Sequence, residues 1–247
     1  MKIAIEQLNV LLIQIRDIPD VAAHEQRGFE EIAGLASGQF RSINVTTAPP
    51  IQSSDLEDVD VVFIGGSGEY SVTSDDHFTQ SLIGTVQDIA DRNLPLFGSC
   101  WGHQFIARAL GGTVVTDEAR GEVGNQDVFS TPAAAADPVF QHCPERYRVL
   151  MGHHDRVDVL PPGGIELAYS EVCRNQAFHI EGTMIYGTQF HTELTPETLM
   201  ERLGLYRQYV PDEAEFDAMK RSMQPTPEAQ SILPHFLRKV IQSPSSI

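Results

Sequence analysis

The sequence has 247 residues, of which 41% are hydrophobic and 21% charged, and this is typical of a single large globular domain with a sizeable core. Acidic residues outnumber basic ones by 34 to 17, so the formal net charge is −17, and we expect such a chain to bind neither nucleic acid nor an anionic membrane surface. The sequence has no apolar run of transmembrane length, no signal-peptide pattern and no CxxC pair among its three cysteines. Together these features favour a protein of the reducing cytoplasm.

Short apolar runs alternate with amphipathic segments in the first 110 residues. Three runs, at residues 8–15, 60–66 and 93–99, are rich in β-branched residues and predict buried parallel strands. Two segments between them, 24–36 and 76–92, carry apolar residues at helical spacing. Because right-handed crossovers join parallel strands through helices, this order predicts an α/β fold of the flavodoxin-like kind, a mostly parallel central sheet flanked by helices.

The pattern changes after residue 112. Segments 111–130, 147–160 and 165–180 resemble hairpins and edge strands, which predicts a small antiparallel β subregion. Residues 182–190 then predict another buried strand. Thr195 and Pro196 have the residue types of an N-cap and a first helical position, so a helix is expected from there to about Tyr209.

The chain divides by this interpretation into a main domain, residues 1–209, and a helical extension, residues 210–247, packed on the same domain. The extension has room for one or two helices. The last of them carries an apolar stripe, which predicts that it covers the core. That stripe consists of Ile232, Leu233, Phe236, Leu237 and Val240.

Cys100 stands between a predicted strand and a predicted helix. A free cysteine is often only a small packing residue. Here Gly98 and Gly102 flank the position, Gln104 follows, and the motif G-x-C-x-G-x-Q indicates a tight turn between strand and helix. Such a turn lifts a side chain clear of the sheet, and the helix N-terminus favours a thiolate. The pattern therefore favours a nucleophile, whereas Cys143 and Cys173 lack it and are expected to be packing residues.

A thiol nucleophile needs a base, and His191 is the strongest of nine histidines. Glu193 lies two residues further along the end of a predicted strand, where alternate side chains point the same way. The carboxylate can thus orient the imidazole and stabilise its protonated form. His153 and His154 are the rival, as metal ligands or as another base, but neighbours on a strand point to opposite faces, so no metal site is expected.

The segments GSCWGHQ and GTQFHTE, about ninety residues apart, resemble the class I (triad-type) glutamine amidotransferase family, over residues 8–205. The resemblance implies that Cys100 is the nucleophile, His191 the base and Glu193 its orienting acid. Thr192 stands where the family usually has proline. This difference removes no chemical group from the site. Stand-alone members similar to the glutaminase domain of guanylate synthases and to γ-glutamyl peptidases are the nearest in pattern.

The same resemblance implies the rest of the site. The loop at Gly66 and Ser67 would supply one backbone N–H to an oxyanion hole, and Trp101 would supply the second. Gln104 would help to hold the glutamyl substrate, and His154 would line the wall beside it. A dinucleotide site in this loop is disfavoured, because the third glycine of that motif is missing.

Three functions stay open on this basis. The first is hydrolysis of a γ-glutamyl amide through a thioester, acting on glutamine or on a γ-glutamyl amine or peptide. The second is a glutaminase subunit that delivers ammonia to a separate synthase chain, and the third is a non-catalytic relative that binds a partner. No cofactor is expected, and the sequence contains no G-x-x-x-x-G-K-[ST] loop for ATP.

Overall fold

A computed structural model describes residues 4–242 of the chain. Residues 1–3 of the predicted main domain and residues 243–247 of the predicted extension lie outside the described residues. No helix within the described part is long and apolar enough to cross a membrane.

The described residues form eleven strands and seven helices. The strands are β1 Val10–Gln14, β2 Phe40–Asn44, β3 Val61–Ile64, β4 Leu96–Ser99, β5 Thr113–Thr116, β6 Glu122–Ser130, β7 Arg146–His153, β8 Asp155–Val159, β9 Gly164–Tyr169, β10 Ala177–Ile180 and β11 Ile185–Thr188. The helices are α1 Pro19–Ala33, α2 Thr79–Asp91, α3 Trp101–Ala109, α4 Pro196–Leu205, α5 Glu213–Ser222, α6 Pro227–Gln230 and α7 Ile232–Gln242.

Nine strands form one sheet in the order β2-β1-β3-β4-β11-β10-β9-β6-β7. The first five of these are parallel to one another, and the remaining four join antiparallel. A separate small antiparallel sheet pairs β5 with β8. The predicted fold class is therefore confirmed, with one refinement: most of the antiparallel strands extend the large sheet instead of forming a region of their own.

Three element predictions were wrong in part. Strand β2 was not predicted, because its side chains are half-buried or exposed at the sheet edge and its sequence, FRSIN, is largely polar. Helix α1 begins at Pro19, earlier than expected, since proline suits a first helical position. Helix α4 ends at Leu205 and not at Tyr209, because Tyr206 leaves the helical conformation with φ −114° and ψ 61°.

The core lies on both faces of the large sheet. On one face, α7 packs its apolar stripe into the same cluster as α1, and the ring centroid of Phe236 lies 5.3 Å from that of Phe97. On the other face, α2 and α3 bury their apolar sides. Within the described part, the extension contains three helices where one or two were expected. The boundary at residue 209 stays a prediction.

The arrangement brings three loops together. Strands β3, β4 and β11 are neighbours in the sheet and parallel, so their carboxyl ends lie side by side. The loops that follow them carry Gly66, Cys100 and His191. This edge of an open α/β sheet is where such folds usually bind ligands.

Candidate active site

Cys100 occupies the turn between β4 and α3 in a strained conformation. Its φ of 52° and ψ of −104° are rare for a residue with a Cβ atom. The turn is tight because the backbones approach closely: a Cβ on Gly102 would overlap the carbonyl oxygen of Ile64. The Cys100 side chain is 4% exposed and lines a cavity. The predicted strand–turn–helix setting is thus present, and it places Cys100 at the cavity wall, with its sulfur 3.8 Å from the carbonyl oxygen of Gly152.

His191 and Glu193 form a buried pair behind this cavity. The Nδ1 atom of His191 lies 2.7 Å from Oε1 of Glu193. A Cβ placed on Gly66 would lie 3.4 Å from Cε1 of His191 and 3.7 Å from Cβ of Cys100, so both side chains converge on that loop. The structure therefore brings together the three residues that the sequence analysis predicts as nucleophile, base and orienting acid.

The electrostatics of the pair follow from burial and charge. Burial by itself lowers the pKa of His191, but the opposing charges of Glu193 and Cys100 raise that pKa to about 9. Burial alone would raise the pKa of Glu193, and the imidazolium of His191 instead lowers it to about 2. At neutral pH the acid is ionised and the imidazole holds a proton that it can donate.

Two residues that the sequence analysis missed support Glu193. The hydroxyl of Ser99 donates a 2.7 Å hydrogen bond to Oε2, and the guanidinium of Arg202 lies 3.5 Å from Oε1. Ser99 directly precedes the nucleophile position, but Arg202 comes from α4. No sequence signal marks Arg202, because only the docking of that helix brings it to the carboxylate.

The cavity has a volume of about 230 Å³ and contains most of the other predicted site residues. Ser67, Trp101, Gln104 and His154 all line it, together with Cys100. The ring centroid of Tyr209, which was not predicted, lies 5.1 Å from that of His154 at the wall. The structure thus gives these residues access to a ligand bound at the sulfur.

The two loop candidates for an oxyanion donor, Gly66 and Ser67, differ in the hydrogen bonding of their N–H groups. Its N–H donates to Oε1 of Glu25 at 3.0 Å and is therefore occupied. Within residues 4–242, the N–H groups of Ser67 and Trp101 have no hydrogen-bond partner. Which loop N–H would act as an oxyanion donor beside that of Trp101 stays a prediction.

Gln104 is buried and partly committed to the protein. Its Nε2 donates to the carbonyl oxygen of Asp155 at 2.7 Å and to Oε1 of Gln189 at 3.0 Å. His153 is also held, with Nδ1 3.0 Å from the Asp155 carbonyl and Nε2 3.3 Å from Glu122. Across the described residues, no group of three or more His, Cys, Asp or Glu side chains is arranged to hold a metal ion.

The comparisons agree with the family resemblance and the fold. The family description "Glutamine amidotransferase class-I" matches residues 36–203, which is more than half of the chain. A glutamine-hydrolyzing GMP synthase subunit of Thermococcus kodakarensis is 32% identical over 148 residues, which cover 60% of this chain and 73% of that protein. The corresponding subunit of Archaeoglobus fulgidus is 29% identical over 168 residues, or 67% of this chain and 81% of the relative.

A solved structure supports the architecture independently. The glutamine amidotransferase of Thermotoga maritima superposes with a TM-score of 0.73, covering 95% of this chain and 99% of that one at 21% identity. This likeness concerns the fold, whereas the match over residues 36–203 concerns the sequence. The chain belongs to the class-I glutamine amidotransferase family.

Proposed function

We propose that this protein hydrolyses a γ-glutamyl amide bond through a glutamyl thioester on Cys100. The substrate is glutamine or a γ-glutamyl amine or peptide. The observation that carries the proposal is the 2.7 Å contact between His191 and Glu193, made beside a strained cysteine that opens into a cavity. A cysteine, an imidazole and a carboxylate in this order supply a nucleophile, an acid–base group and its orienting charge.

The proposed reaction has two halves. The thiolate of Cys100 attacks the γ-carbonyl carbon, and one N–H of the loop at Gly66 and Ser67, together with the N–H of Trp101, stabilises the oxyanion that forms. His191 gives its proton to the leaving nitrogen, so ammonia or an amine departs and a thioester remains. His191 then takes a proton from water, the hydroxide attacks the thioester, and glutamate leaves as the thiolate is restored.

Glu193 keeps the imidazole in one orientation during both halves, because its carboxylate is itself fixed by Ser99 and Arg202. Gln104 and His154 stand at the cavity wall, where we assign them to holding the glutamyl part of the substrate. No step requires a cofactor. The cytoplasmic location expected from the sequence stays a prediction.

Delivery of ammonia to a separate synthase is the second candidate. It is favoured by the relatives, which are named as GMP synthase subunits and so as one part of a larger enzyme. In that case the same thioester chemistry would act on glutamine, and a partner chain would use the ammonia. The third candidate, a non-catalytic relative, is disfavoured because every chemical group of the reaction is present.

One experiment separates these candidates. The purified chain is given glutamine and a panel of γ-glutamyl amides, with and without a candidate synthase, and release of glutamate and ammonia is measured. We expect release by the chain alone and no binding of Mg-ATP in calorimetric titration. Release only after a synthase is added, or tight ATP binding, would favour the ammonia-delivering function. Two results together would favour the non-catalytic relative: no release of glutamate or ammonia under any condition, and no γ-glutamyl group attached to Cys100.

A further inference from the structure

One part of the cavity wall comes from the segment that joins α4 to the C-terminal extension. Residues 206–209, which we call the strap, directly follow the end of α4. Tyr209 is half-buried and lines the cavity, and among the described residues every other one that lines it lies between Ser67 and Asp155. The family match ends at residue 203, so the family resemblance gives the strap no role.

The strap is fixed to the loop that follows β3. The hydroxyl of Tyr206 donates a 2.7 Å hydrogen bond to Oε1 of Glu69, and Nε2 of Gln208 donates to the carbonyl oxygen of Gly68 at 3.1 Å. The buried ring of Tyr206 also lies directly against Gly68, because a Cβ added there would be 2.8 Å from the ring. These contacts hold the strap in one position relative to the cavity.

Tyr209 connects the strap to a second part of the wall. Its ring centroid lies 5.1 Å from that of His154, in the connection between β7 and β8, which is a normal distance for a packed pair of rings. The same side chain packs against a buried cluster that includes the α4 residues Leu199, Met200 and Leu203. The ring is therefore held by its neighbours, and it enters the cavity in a defined place.

The surroundings of Tyr209 place its ring near the candidate nucleophile. Burial raises the pKa of the Tyr209 hydroxyl above its usual range, and the charges of Cys100 and Asp155 raise that pKa further. The hydroxyl is therefore protonated at neutral pH and the side chain is uncharged. Such a ring offers an apolar surface in a cavity that Ser67 and Gln104 line with polar groups. Ligand cavities use surfaces of this kind against the carbon chain of a ligand.

We propose that Tyr209 is a substrate-binding residue, whose ring packs against the β- and γ-methylene groups of the glutamyl chain while the strap holds the ring in place. This inference rests on the proposed function, because it takes a γ-glutamyl compound as the ligand. Tyr209 carries no proton in the proposed reaction and forms no bond with the substrate. Its contribution is therefore to binding, and the segment that follows α4 becomes a part of the substrate site.

Three variants test the ring. Tyr209→Ala removes it, and Tyr209→Phe keeps the ring without the hydroxyl. Leu205→Ala is the matched control, because Leu205 is the last residue of α4, immediately before the strap, and is 58% exposed. Thermal unfolding of each variant verifies that it is folded.

Three measurements separate binding from a general disturbance of the site. The first is kcat and KM for a γ-glutamyl amide. The second is the concentration of a chloromethyl ketone analogue of glutamine that half-saturates the alkylation of Cys100. The third is the rate at which iodoacetamide alkylates Cys100. Both reagents form a C–S bond with the thiolate and release a halide ion, but only the analogue carries the glutamyl-type chain that Tyr209 is proposed to contact.

We expect Tyr209→Ala to raise KM, and the half-saturating concentration of the analogue, by about fivefold to thirtyfold, since the methylene groups lose their apolar neighbour. Its kcat and its iodoacetamide rate should change less than about threefold, because the reacting groups stay in place. Tyr209→Phe should stay within about twofold of the wild type in all three, as should Leu205→Ala. A wild-type KM in Tyr209→Ala would overturn the inference. A joint loss of kcat and of both alkylation rates would also overturn it, because the ring would then be only structural.

A further variant covers the case in which Tyr209→Ala does not fold. Tyr209→Leu keeps an apolar side chain for the α4 cluster but lacks the ring, and it should still raise KM by about threefold or more. If the wild type hydrolyses no γ-glutamyl amide and the analogue does not label Cys100, the proposed function fails and this inference fails with it. If the wild type is active and the folded Tyr209 variants all keep its KM, only this inference fails.

Discussion

Two cysteines of this chain lie near a histidine, and their surroundings differ. Cys100 lines the cavity on a strained turn at the start of α3, and His191 is backed by Glu193. Cys143 has its sulfur 3.7 Å from Nε2 of His142, a proximity that the sequence analysis did not expect. Nearness of a sulfur and an imidazole is therefore common to both places.

The second pair lacks the electrostatic support of the first. Burial raises the pKa of the Cys143 thiol to about 12, and burial together with the nearby His235 lowers the pKa of His142. The Nε2 atom of His142 is 2.7 Å from the hydroxyl of Ser231 and so faces a neutral group. A thiol and a neutral imidazole are expected there at neutral pH.

The comparison teaches that the carboxylate and the turn, and not the proximity of sulfur and imidazole, distinguish a nucleophile from a packing residue. Glu193 stabilises the protonated imidazole, and the turn gives the sulfur access to a ligand. The following predictions test the roles of the sulfur, the imidazole, the carboxylate and the cavity wall in turn.

Removing the sulfur should have the largest effect. Cys100→Ala should abolish turnover of any γ-glutamyl amide, because no thioester can form, while the small side chain should preserve the fold. Cys143→Ala is the matched control and should keep nearly full activity. The measurement is steady-state hydrolysis, with circular dichroism to verify folding. Activity that survives Cys100→Ala and disappears in Cys143→Ala would reverse the assignment.

Removing the base should have the second-largest effect. His191→Asn should lower kcat by at least about a thousandfold, since both proton transfers lose their carrier. His142→Asn should change kcat by less than about twofold. Single-turnover kinetics on both variants check the prediction. An active His191→Asn enzyme combined with an inactive His154→Asn enzyme would show that the base is at the cavity wall.

Weakening the orienting carboxylate should have a smaller effect. Glu193→Gln should lower kcat by about tenfold to a thousandfold, because orienting groups contribute less than the base that they orient. Ser99→Ala should cost less again, since Glu193 keeps its contacts with His191 and Arg202. The rate at which iodoacetamide alkylates Cys100 should also depend differently on pH, because the pKa of His191 falls when the negative charge of Glu193 is removed. An unchanged profile in Glu193→Gln would contradict the electrostatic role.

His154→Asn should act mainly on binding. The side chain lies at the cavity wall beside Tyr209, so we expect KM to rise about threefold to tenfold with kcat nearly unchanged. Substrate titration of the variant measures the split. A selective loss of kcat would place His154 in the chemistry instead.

Stability should depend on pH through His191. Its pKa is raised in the folded state to about 9 from the ordinary 6.5, so its stabilising contribution is full below pH 6.5 and is lost as the pH rises through 9. Between pH 7 and 10 the free energy of unfolding should therefore fall by roughly 1–3 kcal/mol more in the wild type than in His191→Asn. Urea denaturation at several pH values measures this. Parallel curves for the two proteins would contradict the raised pKa.

The central residues of the site were predictable because their signals are local. The turn at Cys100 is marked by glycines at fixed offsets, and His191 and Glu193 are two residues apart on an extended segment. The buried parallel strands are marked by continuous apolar runs. Each of these signals lies within a few residues, where backbone geometry alone fixes which side chains meet.

The surroundings of the site were not predictable in this way. Glu25 comes from α1 and Arg202 from α4, and only the packing of those helices brings them to the loop and to the carboxylate. Sequence periodicity also does not predict that β10 pairs with β11 and continues the large sheet. The order of strands in a sheet is set by contacts between residues far apart in the chain. Tyr206, at the end of α4, also makes a contact far away in the chain, a hydrogen bond from its hydroxyl to Glu69.

The most direct test of the central claim is to trap the covalent intermediate. The enzyme is mixed with glutamine or an active γ-glutamyl amide, quenched in acid within one turnover, digested and analysed by mass spectrometry. We predict that one γ-glutamyl group is attached to the peptide that contains Cys100 and that the Cys143 and Cys173 peptides stay unmodified. A γ-glutamyl group on either of those two cysteines, or full turnover with no modification of Cys100, would contradict the account.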